Sequence, residues 1–436
     1  MKAMKRVGLY LTPKTIVRNP GYLEVLRSQL GLNLAIIWFT GELPAEVQAE
    51  SPFDGAPPSE ERIRSLTTWH VDGRPTTDRL ESAKQCVGPH MPAGGNEQEL
   101  QEALERAHQA GLEVWLGGGA WTANDYDVLM YCPSKEENNR WYEALFMHLA
   151  TNYGVEGLDV THARFPMTSE PRGLFICACQ DCARAAADMG YDMEGMKADI
   201  CAALESLRRA GGRRLVETGK LALGPFDFVQ LLGIRPGVVQ WFDFRAQLLA
   251  RNLTAFRHAV HAAAGQDFIF GTDTYPASLS MFVGHNHSHW AEFSDFASPL
   301  LSHVDIFPMK TIVLWAQLVR EWVGDLSEAE ALQAVYRLVG YDGLNMPTAI
   351  EDFDLGTPDC EFRNIPLKEL LLLDMAKARL YLPKGIPSYP IIQGGGAPHD
   401  WPREIIEDLI AGANETGHDG IILQGTRSLV DFELKP

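Results

Sequence analysis

The sequence contains no uninterrupted apolar run of about 18 residues, so no segment of it reads as a membrane-spanning helix. Positive charge is also scarce. Lys and Arg number 38 against 57 Asp and Glu, which leaves a net charge of −19 and a pI near 5.1. Nucleic acid and anionic membrane surfaces need clustered cations, so neither is an expected partner. Neutral ligands fit this balance better. The glycine runs Gly117-Gly-Gly119 and Gly394-Gly-Gly396 lack the Lys-Ser/Thr ending of a phosphate loop and the spacing of a dinucleotide fingerprint. They are expected to let loops turn closely. Met1-Lys-Ala-Met-Lys-Arg6 runs directly into the strand-like Val7-Gly-Leu-Tyr-Leu11, without the apolar stretch and cleavage site of a secretory leader. Cysteines are few and odd in number, seven in all, which suits a reducing cytoplasm better than a disulfide framework.

What the chain does have is alternation. Short apolar runs at 6–11, 32–39, 113–117, 157–163, 268–274, 304–309, 388–392 and 420–423 read as buried strands. Amphipathic stretches at 20–30, 97–110, 135–152, 241–264, 289–301, 327–339 and 401–416 read as helices between them. Eight strands in this order predict an α/β fold, a (β/α)8 TIM barrel, with its site on the loops at the C-terminal strand ends. The 436 residues fit one such domain carrying insertions at about 40–95 and 340–366.

Three cysteines crowd into Cys177-Ala-Cys-Gln-Asp-Cys182, and a fourth stands upstream in Tyr131-Cys-Pro133. A tight C-x-C-x-x-C turn presents three sulfurs from one loop and leaves a tetrahedral zinc ion one ligand short. Cys132 supplies it in this reading, with Cys86 as the substitute; Cys201 and Cys360 have no clustered partners. Four thiolates saturate zinc, so the site is structural. Incidental buried thiols are the bland alternative.

The segment Tyr131-Cys-Pro-Ser-Lys-Glu-Glu-Asn-Asn-Arg-Trp-Tyr142, then Leu149-Ala-Thr-Asn-Tyr-Gly154, then the cysteine cluster resembles the zinc-bearing region of family 42 β-galactosidases, clan A glycoside hydrolases. The resemblance spans roughly residues 110–190 and continues loosely through Trp241-Phe-Asp-Phe-Arg245 and Pro276-Ala-Ser-Leu279. It implies a TIM barrel, a carbohydrate substrate, and Cys132, Cys177, Cys179 and Cys182 as ligands of a structural zinc. It does not extend to the catalytic glutamates. Strand four reads Gly157-Leu-Asp-Val-Thr-His-Ala-Arg-Phe-Pro166 and strand seven Tyr389-Pro-Ile-Ile-Gln-Gly-Gly-Gly396, neither with a Glu. The fourth strand is also similar to that of a broader set of glycosidase-like barrels, with Thr161 where an Asp is expected.

Glycosidases need two carboxyl groups, one protonated and one ionised. The candidates at strand ends are Asp159, Asp273 and Asp305, with Asp159 as nucleophile and Asp273 or Asp305 as acid/base in one arrangement. Each could equally be a structural group held by a neighbouring cation or cap. His162 and Arg164 follow Asp159 at alternate positions and could grip substrate. Trp38, Trp121, Tyr126 and Tyr275 lie near strand ends as stacking faces, unless they are core. Gly284-His-Asn-His-Ser-His-Trp290 places His285, His287 and His289 at alternate positions, a metal half-site or, more simply, a loop in which His287 contacts ligand. The leading expectation is a cytoplasmic glycoside hydrolase of a small oligosaccharide or glycoside, with a homo-oligomer compatible. The alternatives are a metal-dependent sugar lyase, isomerase or epimerase, and a carbohydrate-binding protein without hydrolysis.

Overall fold

The computed structural model describes residues 4–50, 61, 96–121, 131–165, 174–217, 225–233, 235–353, 364–396 and 401–435; a few side chains within these, Asp305 among them, lie outside the description. Most of the first expected insertion, Cys86, Tyr126, Cys360 and the stretch 354–363 lie outside it too.

Eight parallel strands run β1 Arg6–Leu11, β2 Leu34–Trp38, β3 Glu113–Gly119, β4 Gly157–Thr161, β5 Ile269–Thr274, β6 Ala297–Pro299, β7 Ile391–Gly395 and β8 Gly420–Gly425. Their order in the sheet is β6-β5-β4-β3-β2-β1-β8-β7. Bridges from Ala297 to Ser388 and from Leu300 to Ile391 join the two ends, which closes the sheet into the expected barrel. Burial on both faces explains the unbroken apolar runs: Leu34, Ala35, Ile36 and Ile37 are all inaccessible to solvent.

Helix boundaries follow local chemistry. Ser327 and Glu330 form a reciprocal capping box at the start of Glu328–Val339. Gly31 and Gly340 end their helices in the left-handed conformation that glycine adopts most readily.

One strand lies elsewhere than expected. The stretch 304–309 is not a strand: Asp305–Met309 forms a π-helical turn that continues into the helix Lys310–Val323. The sixth strand is the short Ala297–Pro299, where a helix over 289–301 was expected; only Trp290–Phe293 of that stretch is α-helical. Between β4 and β5 the chain inserts a helical lobe, including Gln180–Asp188, Met193–Ala210 and the long Pro236–Ala264. Only the last of these was expected.

The barrel floor is packed by side chains from alternate strands. Arg6 pairs with Glu113 at 2.6 Å and lies over the rings of Trp115 and Tyr389, 5.4 and 5.7 Å from their centroids. Trp115 stacks on Phe296 at 4.7 Å. This plug leaves the opposite, C-terminal end as the open side.

Close strand approach makes a direct demand at Gly420, where an added Cβ would sit 2.2 Å from the Arg6 carbonyl oxygen. Gly420→Ala is expected to cost about 1–3 kcal/mol by overpacking. Gly343→Ala, which meets nothing within 4 Å, should be near neutral. Urea midpoints of the two variants against wild type check this, and equal midpoints would refute it.

Candidate active site and thiolate cluster

The inward positions near the strand ends are polar. On β4 these are Asp159 and Thr161, on β5 Asp273, and on β1 Tyr10. Asp159 and Asp273 are almost wholly buried, at 1 % and 2 % exposure. The structure therefore brings two of the three expected carboxylates together. Asp305 opens the π-helical turn instead of ending a strand.

The two carboxyl groups have different surroundings. Asp273 accepts hydrogen bonds from the Thr161 hydroxyl at 2.9 Å and the His162 backbone N–H at 3.2 Å. Donors of this kind favour the ionised form. Asp159 accepts one hydrogen bond on Oδ2, from the Tyr10 hydroxyl at 2.6 Å, while its buried Oδ1 has no partner. Burial, reinforced by the charge of Asp273, pushes Asp159 up to about 8; the Tyr10 bond opposes that shift only in part. Burial and the two nearby carboxylates hold the Tyr10 phenol well above its ordinary value, so it stays a donor.

His162 reaches Asp273 through its main chain. Its φ of 59° is in the left-handed region, uncommon for a residue with a side chain, and that turn directs its N–H at the carboxylate. The imidazole Nδ1 lies 3.1 Å from the Thr161 hydroxyl. Arg164 is buried with its guanidinium over Tyr275 at 4.7 Å and Phe307 at 4.9 Å. Tyr275 is thus packed between a cation and a second ring, Phe307 at 5.1 Å. Trp38 is a partly exposed aromatic of the mouth, stacked on Tyr10 at 5.4 Å with 17° between the rings. Beside it Gly117, the register partner of Asp159, leaves room that a side chain would fill.

Trp121 lies in a different place. It is fully buried against Tyr142 and Phe256, and its indole N–H donates to Asn139. Asn139 in turn donates to the Pro133 carbonyl, so this tryptophan braces the loop that carries Cys132.

The three histidines do not form a metal half-site. His285 accepts from the Tyr275 backbone N–H on Nδ1, and its Nε2 donates to the Ala163 carbonyl, tying the end of β5 to the end of β4. His287 faces the Ser280 and Thr274 hydroxyls, both at 3.2 Å, and His289 faces Glu292 and Gln247. Burial lowers His285 to about 3 and His287 to about 4, which keeps both rings neutral. All six ring nitrogens have protein partners.

The cysteine cluster does assemble. The sulfurs of Cys132, Cys177, Cys179 and Cys182 all lie within 4.8 Å of one another, the one such group of potential metal ligands among the described residues. Cys132 Sγ is 3.6 Å from that of Cys179 and 3.4 Å from that of Cys182. Zinc–sulfur bonds of about 2.3 Å in a tetrahedron place sulfurs roughly 3.8 Å apart, so the donor set fits that ion. The Ser134 N–H and hydroxyl donate to Cys132 and Cys182, and Cys179 starts the helix Gln180–Asp188. Burial pushes the thiols of Cys132, Cys177 and Cys182 up, whereas hydrogen bonds from the other three sulfurs pull Cys179 down. Arg245, fully buried, donates to the Leu174 carbonyl at 2.8 Å just before the cluster. Desolvation lowers it to about 9, against the pull of Cys177 and Cys182.

Composition missed Tyr10. Its only sequence signal is an aromatic at an inward position of the first strand.

No protein-family model and no curated protein matches the chain. Among solved structures, the glycoside hydrolase domain of PgaB from Bordetella bronchiseptica superposes with a TM-score of 0.48 and 9% identity, over 97% of this chain and 94% of that one. The catalytic domain of the β-amylase from Paenibacillus polymyxa gives 0.44 and 9%, over 98% and 94%. A chitinase from Rhizomucor miehei gives 0.42 and 10%, over 97% and 95%. Likenesses this distant carry no argument about chemistry, and none links the chain to family 42. The helices of the described residues include none long and apolar enough to cross a membrane.

The state of Asp159 has a measurable consequence. Folded, it keeps its proton up to about pH 8, whereas the unfolded group loses it near its ordinary value of 3.8. Between those values the folded state binds the extra proton, so the contribution of Asp159 to stability falls as pH rises and levels off above 8. Asp159→Asn, a neutral isostere, should therefore match wild type near pH 4 and exceed it by several kcal/mol at pH 8, roughly 1.4 kcal/mol for each of the about four pH units between the two values. Denaturant titrations at both pH values would show the divergence; parallel curves would contradict it.

Proposed function

We propose that this chain is a glycoside hydrolase whose barrel mouth uses Asp159 as the general acid and Asp273 as the ionised carboxylate. The observation that carries the proposal is the pairing of two buried carboxyls on adjacent strands, one held protonated and one supplied with donors. Glycosidic cleavage needs that division of protonation states. Tyr10 fixes Oδ2 of Asp159, which leaves Oδ1 to carry the proton to the leaving oxygen as the C–O bond breaks. Asp273 faces the developing positive charge at the anomeric carbon, as nucleophile or as base toward water. This reverses the roles expected from sequence, where Asp159 was the nucleophile. Trp38, next to the space left by Gly117, offers a flat face for a sugar ring. The occupied ring nitrogens of the histidine cluster weigh against the metal-dependent lyase or isomerase alternative.

Asp273→Asn should lower kcat by at least about a thousandfold while leaving ligand binding in place. In wild type, turnover on chromogenic glycosides should decline as pH rises past 8, because the acid then loses its proton. Binding of sugars with no turnover of any glycoside would instead support a carbohydrate-binding protein.

The second part of the reading is a structural zinc held by Cys132, Cys177, Cys179 and Cys182, the ligand set that the family 42 resemblance implies. Zinc would supply folding energy to the lobe between β4 and β5 and take no part in the chemistry. Elemental analysis should find one zinc per chain. Cys179→Ser should lose it and melt earlier, while the molecules still folded keep their turnover. Wild-type protein free of zinc under reducing purification would remove this part and leave the carboxylate reading untouched.

A further inference from the structure

Two glutamines stand side by side at the C-terminal end of the barrel, Gln393 on β7 and its register partner Gln424 on β8. Their situations differ. Gln424 is satisfied: its Oε1 accepts from the Ser302 hydroxyl at 2.6 Å and its amide nitrogen lies 3.3 Å from the ring of His303. Gln393 is fully buried, yet neither Oε1 nor Nε2 of its amide has a partner. A buried amide left without bonds is costly, and such groups are rare in folded proteins. An aliphatic side chain would fill the same position without that cost.

The surroundings of Gln393 are arranged for its side chain. A bulge interrupts the β7–β8 register between Gln393 and Gly395. At the end of β8, Gly425 lies against this bulge, where an added Cβ would stand 2.0 Å from the Gly395 carbonyl oxygen and in ordinary contact with the Gln393 amide oxygen at 3.5 Å. The bridge between Leu300 and Ile391 sets the facing of β7, which places Gln393 one pleat further toward the mouth than Ile391. Asp273 lies on β5, two strands round the wall, roughly 10 Å at ordinary strand spacing. The two side chains stand at inward positions of the same wall, toward the same end of the barrel.

We infer that Gln393 is a specificity-determining residue of the candidate site, whose side-chain amide binds an adjacent pair of hydroxyls on an uncharged sugar ring. The amide oxygen accepts from one hydroxyl and the amide nitrogen donates to the other. An amide, unlike a carboxylate, offers one donor and one acceptor side by side, which matches a vicinal diol. The ligand is neutral because the chain carries a net charge of −19 and Asp273 supplies local negative charge. The inference rests on the carbohydrate reading of the mouth and does not require hydrolysis.

The test compares wild type with Gln393→Met, an unbranched side chain of similar length. The probes are glucose, galactose, mannose, xylose and fucose, with glucuronate as the anionic control, followed by calorimetry and by tryptophan fluorescence. At least one neutral sugar should bind wild type more tightly than glucuronate does, and the variant should lose ten- to a hundredfold in affinity for it. Without ligand, the variant should be as stable as wild type or more so, since an unsatisfied group has been removed. A residue with only a structural role would give the opposite pattern, lower stability with affinity unchanged, and that result overturns the inference. So does failure of all five neutral sugars to bind wild type. Asp273→Asn separates the two proposals: if it binds sugar while Gln393→Met does not, the amide role stands whether or not any glycoside is cleaved.

Discussion

Two carboxyl groups on neighbouring strands share a space almost closed to water, and only one of them can carry a charge there at modest cost. Their donors differ. Asp273 receives the Thr161 hydroxyl and the main-chain N–H of His162, whereas Asp159 receives only the Tyr10 phenol. The left-handed turn at His162, the glycine at 117 and the histidine that ties Tyr275 to Ala163 all serve this arrangement. The turn and the histidine fix the ends of β4 and β5, and the glycine keeps the position beside Asp159 free of a side chain.

The cysteine cluster is joined to the same strand. Just beyond β4, Phe165 lies under the guanidinium of Arg245 at 4.3 Å, and Arg245 holds the carbonyl of Leu174 shortly before Cys177. A buried guanidinium is costly in isolation; here the Phe165 ring and the Leu174 carbonyl face it. Asn252 and Asn139, from two helices, both donate to the Pro133 carbonyl beside Cys132. The helical lobe is thus tied to the barrel at the strand that carries Asp159, and loss of that tie would be felt at the strand end before it reached the floor.

Much of this architecture is legible in the sequence because burial on both faces forces long apolar runs. Strands such as Leu34–Trp38 and Gly420–Gly425 stand out for that reason. The sixth strand is hidden because Ala297-Ser-Pro299 has little strand propensity and is held by its neighbours, through Ala297 N–H to Pro387 and Tyr389 N–H to Ala297. His303-Val-Asp-Ile-Phe307 alternates like a strand and folds as a helical turn. The cysteine cluster is readable because three ligands are close in sequence. Candidate acids are readable as residue types, but their protonation is not, since the phenol that contacts Asp159 is 149 residues away. The histidine run misleads for a related reason. Alternate spacing suggests convergence, whereas each ring bonds a different part of the surrounding loops.

Several unfavourable features meet at one end of the barrel. At the C-terminal side are an acid raised to about 8, an amide with no partner and a left-handed residue bearing a side chain. At the N-terminal side, Arg6, Glu113, Trp115, Phe296 and Tyr389 form a plug in which the ion pair and rings are mutually satisfied. A parallel barrel permits this division because each strand contributes inward side chains to both ends while its own hydrogen bonds run unbroken between them. Stability gathered at the floor can therefore support strain at the mouth. At the mouth these departures fall on inward positions at the end that carries the paired carboxyls, where strained or unpartnered groups commonly belong to function.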